Sequence, residues 1–100
     1  MGRAVTFFGA LDIPHCSPMT RLECSTNVFV GGLGVSRQGD KNTGHLKPCG
    51  DGCCGHQATI TIGSLTVKAN GKGIGRVYDD VGLDNCTMVA QGSLNVFAGG

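Results

Sequence analysis

One hundred residues with a net charge of +1 suffice for one domain, residues 1–100, with a thin apolar core. Eighteen glycines, 15% charged residues and no tryptophan exclude a helical bundle. Eight Lys and Arg against seven Asp and Glu leave no electrostatic footprint for nucleic acid. No apolar run approaches the ~20 residues that span a bilayer, and Met1 to Leu11 makes a poor signal peptide.

In chain order, Arg3 to Asp12 reads as an extended segment ending in an acid. A connector, 13–24, follows. Cys24-Ser-Thr-Asn-Val-Phe-Val-Gly-Gly32 then opens the first of three related segments. A long connector, 41–62, leads to the second, Gly63-Ser-Leu-Thr-Val-Lys-Ala-Asn-Gly71. A third connector, 80–91, leads to the last, Gly92-Ser-Leu-Asn-Val-Phe-Ala-Gly-Gly100. The first and third segments share six of nine residues, as do the second and third. The first two continue in step, with Gly34 matching Gly73, Arg37 matching Arg76 and Asp40 matching Asp79.

Each segment predicts a β-hairpin. Leu65, Val67 and Ala69 alternate with Ser64, Thr66 and Lys68, the period of a half-buried strand. Asn70-Gly71, matched by Gly31-Gly32, is a two-residue turn whose positions accept positive φ. Return strands run through Val35 to Arg37 and through Ile74 to Arg76. The third segment ends at its turn, so its return strand is expected from the N-terminus, with Gly9 standing where the arginine should be and Asp12 ending the strand. The fold class is therefore all-β: a pseudo-threefold ring of hairpin repeats closed by the N- and C-terminal strands. Closure removes the unpaired sheet edges that invite aggregation.

Every histidine and cysteine lies in or bordering the connectors: His15, Cys16, Cys24, His45, Cys49, Cys53, Cys54, His56 and Cys86. If the hairpins point one way, imidazoles and thiols gather at the other end. The long middle connector needs something to pin it, and a tetrahedral zinc site would do so. Two further readings stay open. Six cysteines form an even set for disulfides, although adjacent Cys53 and Cys54 would not ordinarily bridge each other. Alternatively, Cys49, Cys53, Cys54 and His56 make a local zinc knuckle. Cys24 reads as a small buried side chain.

The repeated Gly-Ser-x-x-Val strand, the return-strand arginine, the aspartate and a His- or Cys-bearing connector together resemble the PAAR-repeat proteins. These are the spike tips of type VI secretion systems and contractile-phage baseplates. The resemblance covers essentially the whole chain, although Gly34-Val35-Ser36-Arg37 and Gly73-Ile74-Gly75-Arg76 stand where Pro-Ala-Ala-Arg would be. It implies a pseudo-threefold cone with a metal-stapled apex. Its ligands would be three histidines and one cysteine, here His15, His45, His56 and Cys86. The metal would be Zn2+, with iron possible because imidazole suits both, and Cys16 or Cys54 could replace a histidine. The partner would be a trimeric β-helical spike carrying one tip per trimer, with the target membrane met only during piercing and no nucleic acid bound. The location would be a phage virion or the secreted tip of an injection machine, after cytoplasmic assembly.

That reading makes the protein a mechanical part and no enzyme. Phe29 and Phe97, with Lys68 at the equivalent place, face away from Val28 and Val96. The plainer expectation is that these phenylalanines complete the core, and the sharper one is that they touch the shaft. Arg37 and Arg76 read as solvated positions or structural ion pairs with Asp40 and Asp79. The alternative function is a small zinc-dependent hydrolase or thiol redox protein using Cys54 and His56, for which no catalytic motif or cleft is signalled.

Overall fold

A computed structural model of the chain describes residues 2–14, 16–82 and 86–100. The described residues are all-β, without a helix, and form five antiparallel strand pairs. The strands are β1 (Arg3–Ala4), β2 (Phe29–Val30), β3 (Leu33–Gly34), β4 (His45–Cys49) and β5 (Gly52–His56). They continue with β6 (Lys68–Ala69), β7 (Lys72–Gly73), β8 (Asp80–Val81), β9 (Thr87–Met88) and β10 (Phe97–Ala98). Three of the pairs are the repeats: β2–β3, β6–β7 and β10–β1. The third joins the two ends of the chain, with Arg3 opposite Ala98 and Ala4 opposite Phe97. The expected turns are present: Gly31 and Gly32 have φ of 58° and 81°, and Asn70 and Gly71 have 55° and 77°.

The same serine opens each repeat. Ser25, Ser64 and Ser93 each accept hydrogen bonds at Oγ from the backbone N–H groups two and three residues later. This local turn satisfies donors that precede the strand. It is why a serine recurs at every repeat start.

The repeats are bound into a ring by backbone hydrogen bonds. Thr6 N donates to Gly75 O, Gly75 N to Ser36 O and Ser36 N to Thr6 O, at 2.8–3.1 Å, so three equivalent residues close a cycle. Bridges Phe7 with Val35, Arg37 with Ile74 and Arg76 with Val5 repeat the relation one pair further out. This register corrects the reading of the N-terminal strand. Phe7 and not Gly9 occupies the arginine position, and Ala10 and not Asp12 occupies the aspartate position. Gly9 instead matches Gly39 and Tyr78 at a positive-φ turn, with φ of 83°, 88° and 72°. Two repeats therefore keep the Arg–Asp pair, and the third replaces it with Phe7 and Ala10.

Where the pair is kept it is structural. Arg37 Nε lies 2.8 Å from Asp40 Oδ2, and Arg76 Nη2 lies 2.9 Å from Asp79 Oδ1. Each guanidinium also reaches the turn of the next repeat: Arg37 Nη1 donates to Asn70 Oδ1, and Arg76 Nη1 to Gly99 O, both at 2.9 Å. Beside Phe7, where no such arm exists, a cleft of about 480 Å³ opens along Gly31, Leu33 and Leu94.

The core lies in two layers. Val5, Val30, Val35, Ala69, Ile74 and Ala98 form one under the hairpins, and Ala58, Ile60, Val81 and Val89 form the other. Phe29 and Phe97 join neither. They are 59% and 58% exposed, and Val30 and Ala98 beside them are the buried members of their strands. The expectation that these phenylalanines complete the core is overturned by the strand alternation, which turns them outward.

In the second layer the three-way relation continues. Asp12 matches Asn42 and Val81, and Arg21 matches Ile60 and Val89. One sector is thus polar within an apolar layer. Arg21 Nη2 lies 2.9 Å from Asp12 Oδ2, with both side chains 0% exposed. Asn42 Nδ2 donates to Asp12 Oδ2 at 3.1 Å, and Asn42 Oδ1 accepts from Ala58 N. Burial raises the Asp12 pKa, against the pull of the Arg21 guanidinium, and burial likewise lowers that of Arg21.

The middle connector is not a loop awaiting a pin. Residues 45–56 form the longest hairpin of the chain, β4–β5, turning at Gly50-Asp51. Counting outward from that turn places His45 directly opposite His56.

Candidate metal site

Two contacts join three of the four expected ligands, His45 with His56 and His56 with Cys86. His45 and His56 are a cross-strand pair on one face of the β4–β5 hairpin. Their rings meet edge to face with centroids 4.8 Å apart. Cys86 precedes β9, and its Sγ lies 3.3 Å from His56 Nε2. His15, the fourth expected ligand, lies outside the described residues. In the sequence it stands three residues past Asp12, as His45 stands three past Asn42.

The donors suit a soft-to-borderline ion. His45 is buried, and its Nδ1 sits 2.8 Å from Thr43 O. A carbonyl can only accept, so Nδ1 carries the proton and Nε2 carries the lone pair a metal would use. Two tetrahedral zinc ligands, one sulfur and one nitrogen, stand ~3.6 Å apart at ordinary bond lengths, and the Cys86–His56 separation of 3.3 Å is close to that. Among the described residues, no group of three or more His, Cys, Asp or Glu side chains is gathered tightly enough to hold an ion. The set fits zinc in donor chemistry and in this one spacing.

Four other cysteines are bonded to each other. Cys16 pairs with Cys53 and Cys49 with Cys54, with Cα separations of 6.2 and 5.9 Å. In these pairs the sulfurs of Cys16, Cys49, Cys53 and Cys54 bond each other, whereas a zinc knuckle of Cys49, Cys53, Cys54 and His56, or Cys16 or Cys54 replacing a histidine, would need them as thiolates. Cys54, expected as a thiol beside His56, is held here in its bond to Cys49. Strand geometry explains the pairing. Consecutive residues on β5 point to opposite faces, so Cys53 and Cys54 cannot converge and each finds its own partner. Cys49 lies diagonal to Cys54 on the histidine face, whereas Cys53 reaches Cys16 from the opposite face. Cys24 and Cys86 stay outside the disulfides, and Cys24 is half-buried.

Cys16–Cys53 does what the connector reading had assigned to a metal, tying residues 37 positions apart beside the histidines. Cys16 N also donates to Leu46 O, and Leu46 N to Ser17 Oγ, so the first connector lies along β4. The sequence signal for this was the hairpin itself. His45 and His56 stand symmetrically about Gly50-Asp51, which makes them neighbours once the turn is recognised. Compared with known proteins, the chain matches no family model and no curated sequence.

Proposed function

We propose that this protein is a metal-stabilised PAAR-like tip that caps a trimeric β-helical spike of a contractile injection machine and helps it pierce a cell envelope. The observation that carries the reading is the closed three-repeat ring, in which equivalent residues of the three repeats exchange equivalent hydrogen bonds. A tip seated on a threefold shaft must present threefold-related surface from a single chain, and a ring of three repeats does so.

The expected shape is a cone, in keeping with extents of 40 × 23 × 22 Å. Its broad end would be the hairpin end, where Leu65 and Leu94 are 70% and 97% exposed and Phe29 and Phe97 also face outward. Large apolar side chains exposed at that end of all three repeats would suit a contact surface. At the other end His45, His56 and Cys86, completed by His15, would hold Zn2+ or iron, and the bound ion would cross-link three connectors. The residues themselves supply stiffness there: two disulfides and the β4–β5 ladder hold the histidine face in place. The protein's task is then to resist force, and no reacting group is required.

Elemental analysis of the purified chain tests the site, alongside His15→Ala, His45→Ala, His56→Ala and Cys86→Ala variants. One metal per chain in the parent and loss in the variants is expected. Full metal retained in all four would overturn the assignment. Co-purification with a trimeric spike at one tip per trimer tests the partner.

A further inference from the structure

The three hairpins offer the same outward positions with different side chains. Phe29, Lys68 and Phe97 each open the outgoing strand of their repeat, and each is the exposed member beside a buried Val30, Ala69 or Ala98. On the returning strands the matching positions hold Leu33, Lys72 and Arg3. Arg3 is already engaged with Asp79 at 2.7 Å. No acidic side chain occupies either set of positions. One repeat is thus wholly apolar at this ring, and the next is doubly basic.

We infer that the partner meets this ring with three identical sockets, each having an apolar wall that takes an aromatic ring and an oxygen acceptor at its mouth that takes an ammonium. The inference rests on the reading of the protein as a tip on a threefold-symmetric shaft. A symmetric trimer has no choice about the sockets: what it offers Phe29 it must also offer Lys68 and Phe97. A purely apolar socket would strand the Lys68 ammonium, and a purely acidic one would waste two phenylalanines. A lysine stem lies along an apolar wall while its charged head reaches a polar edge, so one socket of mixed chemistry serves both residues. The same requirement gives the shaft an oxygen-rich rim facing Lys72.

The test exploits the threefold relation. Exchanging the two residues, as the double variant Phe29→Lys with Lys68→Phe, leaves two phenylalanines and one lysine and merely moves the lysine by one third of a turn. The full-length chain is titrated against the purified trimeric spike, with melting temperature as the fold control. Because these positions are exposed, the variants should fold. The exchanged variant should bind within about threefold of the parent, whereas Phe29→Ser with Phe97→Ser should lose on the order of 30-fold or more as two anchoring rings are removed. Lys68→Glu should lose at least about tenfold by setting a carboxylate against the acceptor. Exchange costing as much as the double serine variant would overturn the identical-socket inference while leaving the tip reading standing. Lys68→Glu binding like the parent would overturn the acceptor. A parent chain that does not bind a trimeric spike would defeat the tip reading, and this inference with it.

Discussion

The buried pair of Asp12 and Arg21 allows a sharp test of how the second layer is held. Both side chains are fully enclosed, and the equivalent positions in the other repeats are apolar or amide: Asn42 and Val81 for Asp12, and Ile60 and Val89 for Arg21. Arg21→Ile leaves a buried carboxylate, and Asp12→Val leaves a buried guanidinium. Removing one partner of such a pair costs ~3–5 kcal/mol, because the remaining charge is uncompensated. For a domain of this size that is a fall in melting temperature of roughly 15–30 °C. The double variant Asp12→Val with Arg21→Ile copies residues that the layer already accommodates elsewhere. Its remaining penalty is Asn42 Nδ2, which loses the Asp12 acceptor, a cost of ~1–3 kcal/mol. The double variant should therefore be more stable than either single one, with a coupling energy of at least ~3 kcal/mol. Urea unfolding of all four proteins, oxidised and at equal metal content, measures it. Single-variant losses that simply add would refute the argument that desolvated charge, and not shape, sets the cost.

Non-reducing peptide mapping should recover Cys16 joined to Cys53 and Cys49 joined to Cys54. Cys16→Ser should cost ~4 kcal/mol by the loop-entropy relation for a closure of this length, and a Cys53–Cys54 peptide would contradict the strand-face argument. Asp12 should titrate above the usual aspartate range in a carboxyl-detected NMR titration. Its raised folded pKa means that folding takes up a proton there, so its contribution to stability is fully present below the unfolded value and is lost as pH rises through the folded one. Stability of Asp12→Asn should lack that loss, and an identical pH profile in parent and variant would contradict it. Gly75→Ala should cost ~1–3 kcal/mol by overpacking, because a Cβ there would stand 2.6 Å from Ile60 Cδ1 and 2.8 Å from Ser36 O. An unchanged melting temperature would show that the axis has room.

The repeats were legible because they are written in residues with local meaning. Ser25, Ser64 and Ser93 cap the same turn, Asn70-Gly71 selects the same hairpin, and alternation turns the same side of each strand inward. The ring closure followed from the missing return strand of the third repeat. The N-terminal register was harder. Asp12 mimics the aspartate of the other return strands, yet it belongs two residues further on, and the long-range pairing of Val5, Thr6 and Phe7 with Arg76, Ser36, Gly75 and Val35 is what separates the two alignments. Phe29 and Phe97 were misplaced by the ordinary expectation that aromatic residues go inside, which is weak where strand alternation buries Val30 and Ala98 beside them instead. The convergence of His45 with His56 was anticipated, but its cause was not. It comes from a hairpin whose glycine and cysteine content reads as loop.

These departures from symmetry have a common logic. A ring of three identical repeats would be satisfied at every level, but one chain folding into three sectors must also avoid confusing them. At the axis, Thr6 and Ser36 keep side chains while Gly75 cannot, so only one arrangement of the three strands fits. In the second layer, Asp12 and Arg21 pair with each other, and Asn42 must sit beside them to satisfy Asp12 and Ala58. In the first layer, Arg37 and Arg76 each reach the next turn, while Phe7 cannot. Each level therefore breaks the threefold relation at a different residue, and a chain with its repeats permuted would bury a charge, collide at the axis or lose a turn contact. Apolar burial favours compactness of any three hairpins. The buried pair and the single glycine make the order of the three specific, at the expense of stability that the double variant of Asp12 and Arg21 would recover in part.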